Sequence, residues 1–128
     1  MASTERIALD SSAVIVLASG NAKLRATIRA ASEMGALIFV PAPVLAETLR
    51  GTPQDAPINQ VIKTFDVVPT SEGAARLAGG MLRGRHPSLT IDALICATAL
   101  DYQADAIFTQ DVDDHERLLG GAVRAVKV

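Results

Sequence analysis

Five short apolar or β-branched runs punctuate the chain: "RIAL" at 6–9, "ALIFV" at 36–40, "DVV" at 66–68, "DAIFT" at 105–109 and "VRAVKV" at 123–128. The stretches between them have helical spacing. Strands alternating with helices predict an α/β fold with a mainly parallel central sheet flanked by helices. In such a sheet the binding crevice lies outside the carboxyl ends of the strands. The residues that follow each run are therefore where chemistry is to be sought.

Helix signals fill the gaps. One helix starts at the cap Asn21 and stops at Gly35; another has Pro43 in its first turn and Gly51 as its stop. The segment 54–65 reads as a helix broken at Pro57. Ser71 opens a helix over 71–84, and Ser88 or Thr90 opens one over 90–103. In "DDHERLL" at 113–119, Asp113 and Glu116 have the spacing of a capping box.

A length of 128 residues suits one domain, 1–128, with an adequate core. The chain is 49 % hydrophobic but only 3 % aromatic, so Ala, Val, Leu and Ile must build that core. The single cysteine, Cys96, excludes an internal disulfide and a cysteine-rich zinc site, and reads as a small core residue in a reducing cytoplasm. No stretch approaches the roughly 18 continuous apolar residues of a membrane span. Glu5 and Asp10 precede the apolar run 13–18, where a secretory leader would be positive. A cytoplasmic protein with no membrane partner is expected.

Net charge is −2, which gives no global basic footprint for nucleic acid. The distribution says more. Residues 21–91 carry eight Lys or Arg against five Asp or Glu, whereas 92–116 carry seven acids and no Lys or Arg. An acidic concentration is usually a solvated face, but it also suits metal ligands, with the basic remainder meeting a polyanion.

Four acids fall where the sheet rule places a crevice. Asp10 follows the first run at its junction with an apolar helix over 13–18, and a helix cap is the ordinary reading of it. Glu47 lies in the helix entered after "ALIFVP", and Asp111 comes two residues after "DAIFT". Asp92 sits in the first turn of a helix that is otherwise apolar all round. The macrodipole favours an acid there by only about 0.3–1 kcal/mol, too little to explain its burial. With the hydroxyls of Ser12 and Thr109 these acids form a hard oxygen-ligand set suited to Mg²⁺ or Mn²⁺. Clustered carboxylates repel unless cations neutralise them. Two such metals about 3.5–4 Å apart activate water and stabilise the leaving oxygen in phosphodiester hydrolysis. If Asp10 and Asp92 share one cluster, removing either charge should relieve repulsion in the metal-free protein.

The order "LDSSAVIVLASG", "VPAPVLAETLRG", "SLTIDALICATAL", "IFTQDVDDHERL" resembles the PIN domains, in particular the VapC-like toxins of bacterial toxin–antitoxin pairs. The resemblance covers essentially the whole chain. It implies a metal-dependent endoribonuclease in which Asp10, Glu47, Asp92 and Asp111 are the acidic tetrad, with Asp114 a further ligand and Ser12 and Thr109 supporting them. It also implies an RNA substrate, a cognate antitoxin and a homodimer. Arg50, Arg83 and Arg85 are the expected RNA contacts, since RNA phosphates need cations. Gln110 stands where the family often has Arg or Asn, and His115 where an aromatic is common. His86 and His115 read as surface or capping groups. The alternatives are a non-toxin PIN nuclease and a non-catalytic PIN-like binding module. A haloacid-dehalogenase-type phosphatase would need an acid at Ser12, and a response-regulator receiver would need a better-placed lysine than Lys127.

Overall fold

The computed structural model describes residues 4–128. Its five strands are β1 (Arg6–Leu9), β2 (Leu37–Pro41), β3 (Asp66–Val68), β4 (Ala106–Thr109) and β5 (Arg124–Lys127). They form one sheet in the order β3-β2-β1-β4-β5, and every neighbouring pair is parallel. The α/β reading with a parallel sheet therefore holds. Ile7 of β1 is in register with Ile38 of β2 on one side and Ala106 of β4 on the other. The chain runs β1 to β2 to β3 in one direction, then returns to place β4 on the opposite side of β1. That reversal opens a crevice beyond the carboxyl ends of β1 and β4.

Seven helices flank the sheet: α1 (Ser11–Ala18), α2 (Ala22–Glu33), α3 (Pro43–Thr48), α4 (Ala56–Thr64), α5 (Glu72–Met81), α6 (Thr90–Asp101) and α7 (Val112–Leu119). The core is aliphatic, with Ile7, Leu9, Val14, Val40, Ile95 and Ile107 among its fully buried side chains. Helix α6 buries Ala93, Ile95, Cys96, Ala97, Thr98 and Ala99, as an all-apolar helix must. Burial pushes the Cys96 thiol well up from its ordinary range, so it behaves as a core residue. No helix among the described residues is long and apolar enough to cross a membrane.

Two local expectations are corrected. Pro57 falls in the first turn of α4, where its missing N–H costs nothing, so it starts that helix and does not break it. Helix α7 begins two residues earlier than the capping-box spacing implies. Asp111 is its N-cap, without a side-chain cap bond, and Asp113 lies inside the first turn. The end of α7 fits its sequence, since Gly120 adopts φ 58°, a left-handed conformation natural to glycine.

Candidate active site

Asp10 closes β1 and caps α1, and it does more than cap. Its Oδ1 accepts from the Ala13 N–H at 2.9 Å and from Ser12 Oγ at 2.7 Å. Its Oδ2 lies 3.2 Å from Nε2 of His115, which projects from α7. Burial alone would raise this carboxyl. The contacts to His115 and Thr109, then those to Ala13 and Ser12, outweigh it and hold the group below its ordinary 3.8.

His115 overturns its reading as a surface or capping group, for it is only 1 % exposed. Its Nδ1 lies 3.0 Å from the Asp111 carbonyl oxygen. A carbonyl accepts and never donates, so Nδ1 carries a proton. Nε2 then faces a carboxylate, off the line of a well-formed hydrogen bond. Burial would lower the imidazole, but the Asp10 carboxylate beside it wins and raises it above 6.5. One ring thus contacts two of the four acidic residues, through the side chain of Asp10 and the backbone of Asp111. The signal was in the sequence: His115, Leu118 and Leu119 share the buried face of α7 at helical spacing.

The other acids arrive from separate elements. Glu47, on α3, accepts from Ser11 Oγ at 2.6 Å, which fastens it to the first turn of α1. Ser11 was not among the expected site residues. Asp92 opens α6. Burial raises its carboxyl first; the nearby His115 charge opposes this, and the negative charges of Glu47, Asp10 and Asp111 raise it further. Asp111 follows β4, and its N–H donates to Oγ1 of the fully buried Thr109 at 2.8 Å. Ser12 Oγ accepts from the Gln110 N–H at 2.8 Å while donating to Asp10, so it joins the two loops.

The four acids share one electrostatic neighbourhood without closing on a single point. Among the described residues, no three His, Cys, Asp or Glu side chains are gathered tightly enough to grip a metal ion. Asp114 turns instead towards Arg117, 3.5 Å away on the same helix. Of the basic residues, Arg50 donates to the Ala46 and Leu49 carbonyls and Arg85 to those of Met81 and Arg117. Arg83 is exposed. A cleft of about 590 Å³ between α2 and α4 is lined by Arg25, Ile28, Arg29, Val61 and Phe65 among others, and by none of the four acids.

The charge relations, not a preformed cage, make the acidic end of the sheet the candidate site. Asp10 has a favourable partner in the His115 imidazole beside it, and its carboxyl is held low. Asp92 has like charges on several sides and no acid-binding partner of its own. That imbalance sets the surroundings of Asp10 apart from those of Asp92.

A family model for the PIN domain matches residues 7–118. No curated protein matches the chain by sequence. Solved structures do match by shape. VapBC2 from Rickettsia felis, bound to a DNA fragment from its promoter, superposes with a TM-score of 0.76 at 14 % identity, covering 96 % of this chain and 98 % of that one. DNA-bound VapBC from Salmonella typhimurium gives 0.76 at 16 % identity, over 97 % and 98 %. VapBC-1 from nontypeable Haemophilus influenzae gives 0.71 at 18 % identity, over 95 % and 97 %. At such identities the likeness is one of fold.

Proposed function

The chain belongs to the PIN domain family, and on that premise we propose that it is a metal-dependent endoribonuclease, the toxin of a toxin–antitoxin pair. One observation carries the reading. Four acids from four elements meet electrostatically beyond the carboxyl ends of β1 and β4, and the carboxyl of Asp92 is raised by burial and by three of its neighbours. An oxygen-only donor set with surplus negative charge fits a hard divalent cation.

Asp10, Asp92 and Asp111, with Glu47, are the residues that would hold Mg²⁺ or Mn²⁺; Asp114 faces Arg117 and stands aside. When bound there, such a cation would provide a water of lowered pKa and charge stabilisation at phosphorus. Ser11 holds Glu47 where it can orient that water. Thr109 fixes the Asp111 backbone, and Ser12 fixes Asp10 against the Gln110 turn. In-line attack leaves a 5′-phosphate and a 3′-hydroxyl. Arg50, Arg83 and Arg85 are proposed to contact RNA phosphates from the rim. The partners are an RNA substrate, an antitoxin protein and a second copy of the chain, in the cytoplasm. Exposed Ile15 and Leu77 give apolar surface for assembly, and light scattering at micromolar concentration should report a dimer mass.

Purified protein mixed with single-stranded RNA should cut it in Mg²⁺ or Mn²⁺ and fall silent in EDTA. Full activity in EDTA would overturn the metal dependence, and cleavage of single-stranded DNA alone would overturn the RNA assignment. The spread of the acids favours one second reading, a non-catalytic PIN-like binding module. Absence of cleavage with either metal, in protein that still binds RNA, selects it.

A further inference from the structure

Strand β5 pairs with β4 so that Lys127 lies opposite Thr109, at the edge of the sheet where the acids gather. The side chain is exposed, and its ammonium donates to the Gln110 carbonyl at 2.6 Å. The N–H of that same Gln110 donates to Ser12 Oγ, which in turn donates to Asp10 Oδ1. Asp111 is the next residue along. Lys127 therefore brings a positive charge to the turn between β4 and α7, on the same residue whose N–H bonds the hydroxyl that touches Asp10.

Several of the other eleven Lys and Arg side chains already have partners. Arg76, Arg117 and Arg124 are each paired with an acid, and Arg50 and Arg85 donate to backbone carbonyls. Lys127 forms no salt bridge among the described residues. A lysine ammonium has three donors and no acceptor. With one donor on the Gln110 carbonyl, two remain for an incoming oxygen. Anchoring also reduces the rotamer freedom that a long side chain must otherwise lose on binding.

We propose that Lys127 is a phosphate-binding residue, its ammonium contacting a non-bridging oxygen of the RNA backbone beside the acid cluster. The inference deepens the nuclease reading and rests on it. The physical need is plain: four acids repel a polyanion, and a cation held in the adjacent turn offsets that repulsion where the chain must enter. Lysine suits the task as a compact point charge.

The test compares wild type with Lys127→Arg, Lys127→Gln and Lys127→Glu. Binding of labelled single-stranded RNA is read by fluorescence anisotropy in EDTA across a salt titration, and KM and kcat are read in Mg²⁺. Affinity should fall in the order Lys and Arg, then Gln, then Glu. Lys127→Gln should lose about three- to tenfold in affinity at low salt, whatever the RNA sequence. Its slope of log K against log salt should flatten by about 0.7, one phosphate contact on a single strand. KM should rise while kcat stays within about twofold. Thermal melts should leave the variants together, because the side chain is exposed. Wild-type affinity, slope and KM in both Lys127→Gln and Lys127→Glu would overturn the proposal alone. So would a fall in kcat at unchanged KM and affinity, which would make Lys127 a brace for the Gln110 turn. If wild type neither binds nor cuts RNA, the nuclease reading fails and the proposal falls with it.

Discussion

His115 Nε2 and Asp10 Oδ2 stand 3.2 Å apart, with their side chains 1 % and 4 % exposed. The pair joins the helix after β4 to the strand end of β1, across the crevice that the topology opens. Breaking a buried pair by removing one partner strands the other charge away from water, which costs about 3–5 kcal/mol in comparable sites. The pair is therefore a structural tie as well as part of the acidic site.

Its pH dependence follows from two opposite shifts. Asp10 is held below 3.8, so its contribution is present above that value and is lost as pH falls through the folded-state pKa. His115 is raised above 6.5, so its contribution is complete below 6.5 and is lost as pH rises through its own folded-state pKa. Both act together between those two ordinary values. In chelator, wild type should be most stable in that window and weaken on either side. His115→Phe should flatten the alkaline limb. Urea titrations of both proteins across pH check this, and an unchanged alkaline limb would show that the pair contributes nothing.

Asp10→Asn and Asp92→Asn should move metal-free stability in opposite directions near pH 6. The first removes the partner of a buried imidazole and destabilises. The second removes a carboxylate raised by burial and by like charges, and should be neutral or stabilising by up to about 1 kcal/mol. The same shift means that the stability deficit due to Asp92 shrinks as pH falls through its folded-state pKa. Denaturant midpoints decide, and parallel shifts of the two variants would refute the unequal roles.

The fold was legible because its signals are local. All five strands lie where the apolar runs are, and the helix stops at Gly35 and Gly120 follow from left-handed glycine. The acids were legible through the rule that sites follow strand ends. What escaped was pairing across elements. His115 is a buried partner of Asp10 only because α7, packed against α6 and β5, brings it to the end of β1, a relation of residues 105 positions apart. Ser11 was hidden for the same reason, since its partner Glu47 arrives from another helix. Asp55 shows why buried acids mislead: it is 8 % exposed, yet its oxygens accept the backbone N–H groups of Arg50, Gly51 and Thr52. That is a turn brace, and no other acid charge need be near it.

Ser11→Ala should separate positioning from folding. Loss of the 2.6 Å bond to Glu47 costs stability by about 0.5–1.5 kcal/mol, since both groups keep access to water. Glu47 becomes free to rotate, and kcat for RNA cleavage should drop by about tenfold with KM nearly unchanged. Ser11→Thr should restore most of the rate. Steady-state kinetics on the three proteins checks it, and a wild-type kcat in Ser11→Ala would remove Glu47 orientation from the mechanism.

Thr109 places one fully buried hydroxyl between two acids, accepting from the Asp111 N–H at 2.8 Å and lowering the Asp10 carboxyl. Thr109→Val keeps the shape and deletes that hydroxyl. The Asp111 N–H loses its acceptor, which should cost about 1–3 kcal/mol. Thr109→Ser keeps the hydroxyl and deletes a methyl group, which costs about 1 kcal/mol through the small cavity left behind. The two variants can therefore be similarly destabilised while differing in the one group that matters to the acids. Wild type should gain Tm with the logarithm of added Mg²⁺ or Mn²⁺, as a ligand of the folded state alone requires. Thr109→Ser should keep that slope, and Thr109→Val should start to gain only at higher metal concentration. Melts across a metal titration at fixed ionic strength give the comparison. If Thr109→Val responds to metal at wild-type concentrations, the hydroxyl serves the core and leaves the acids to arrange themselves.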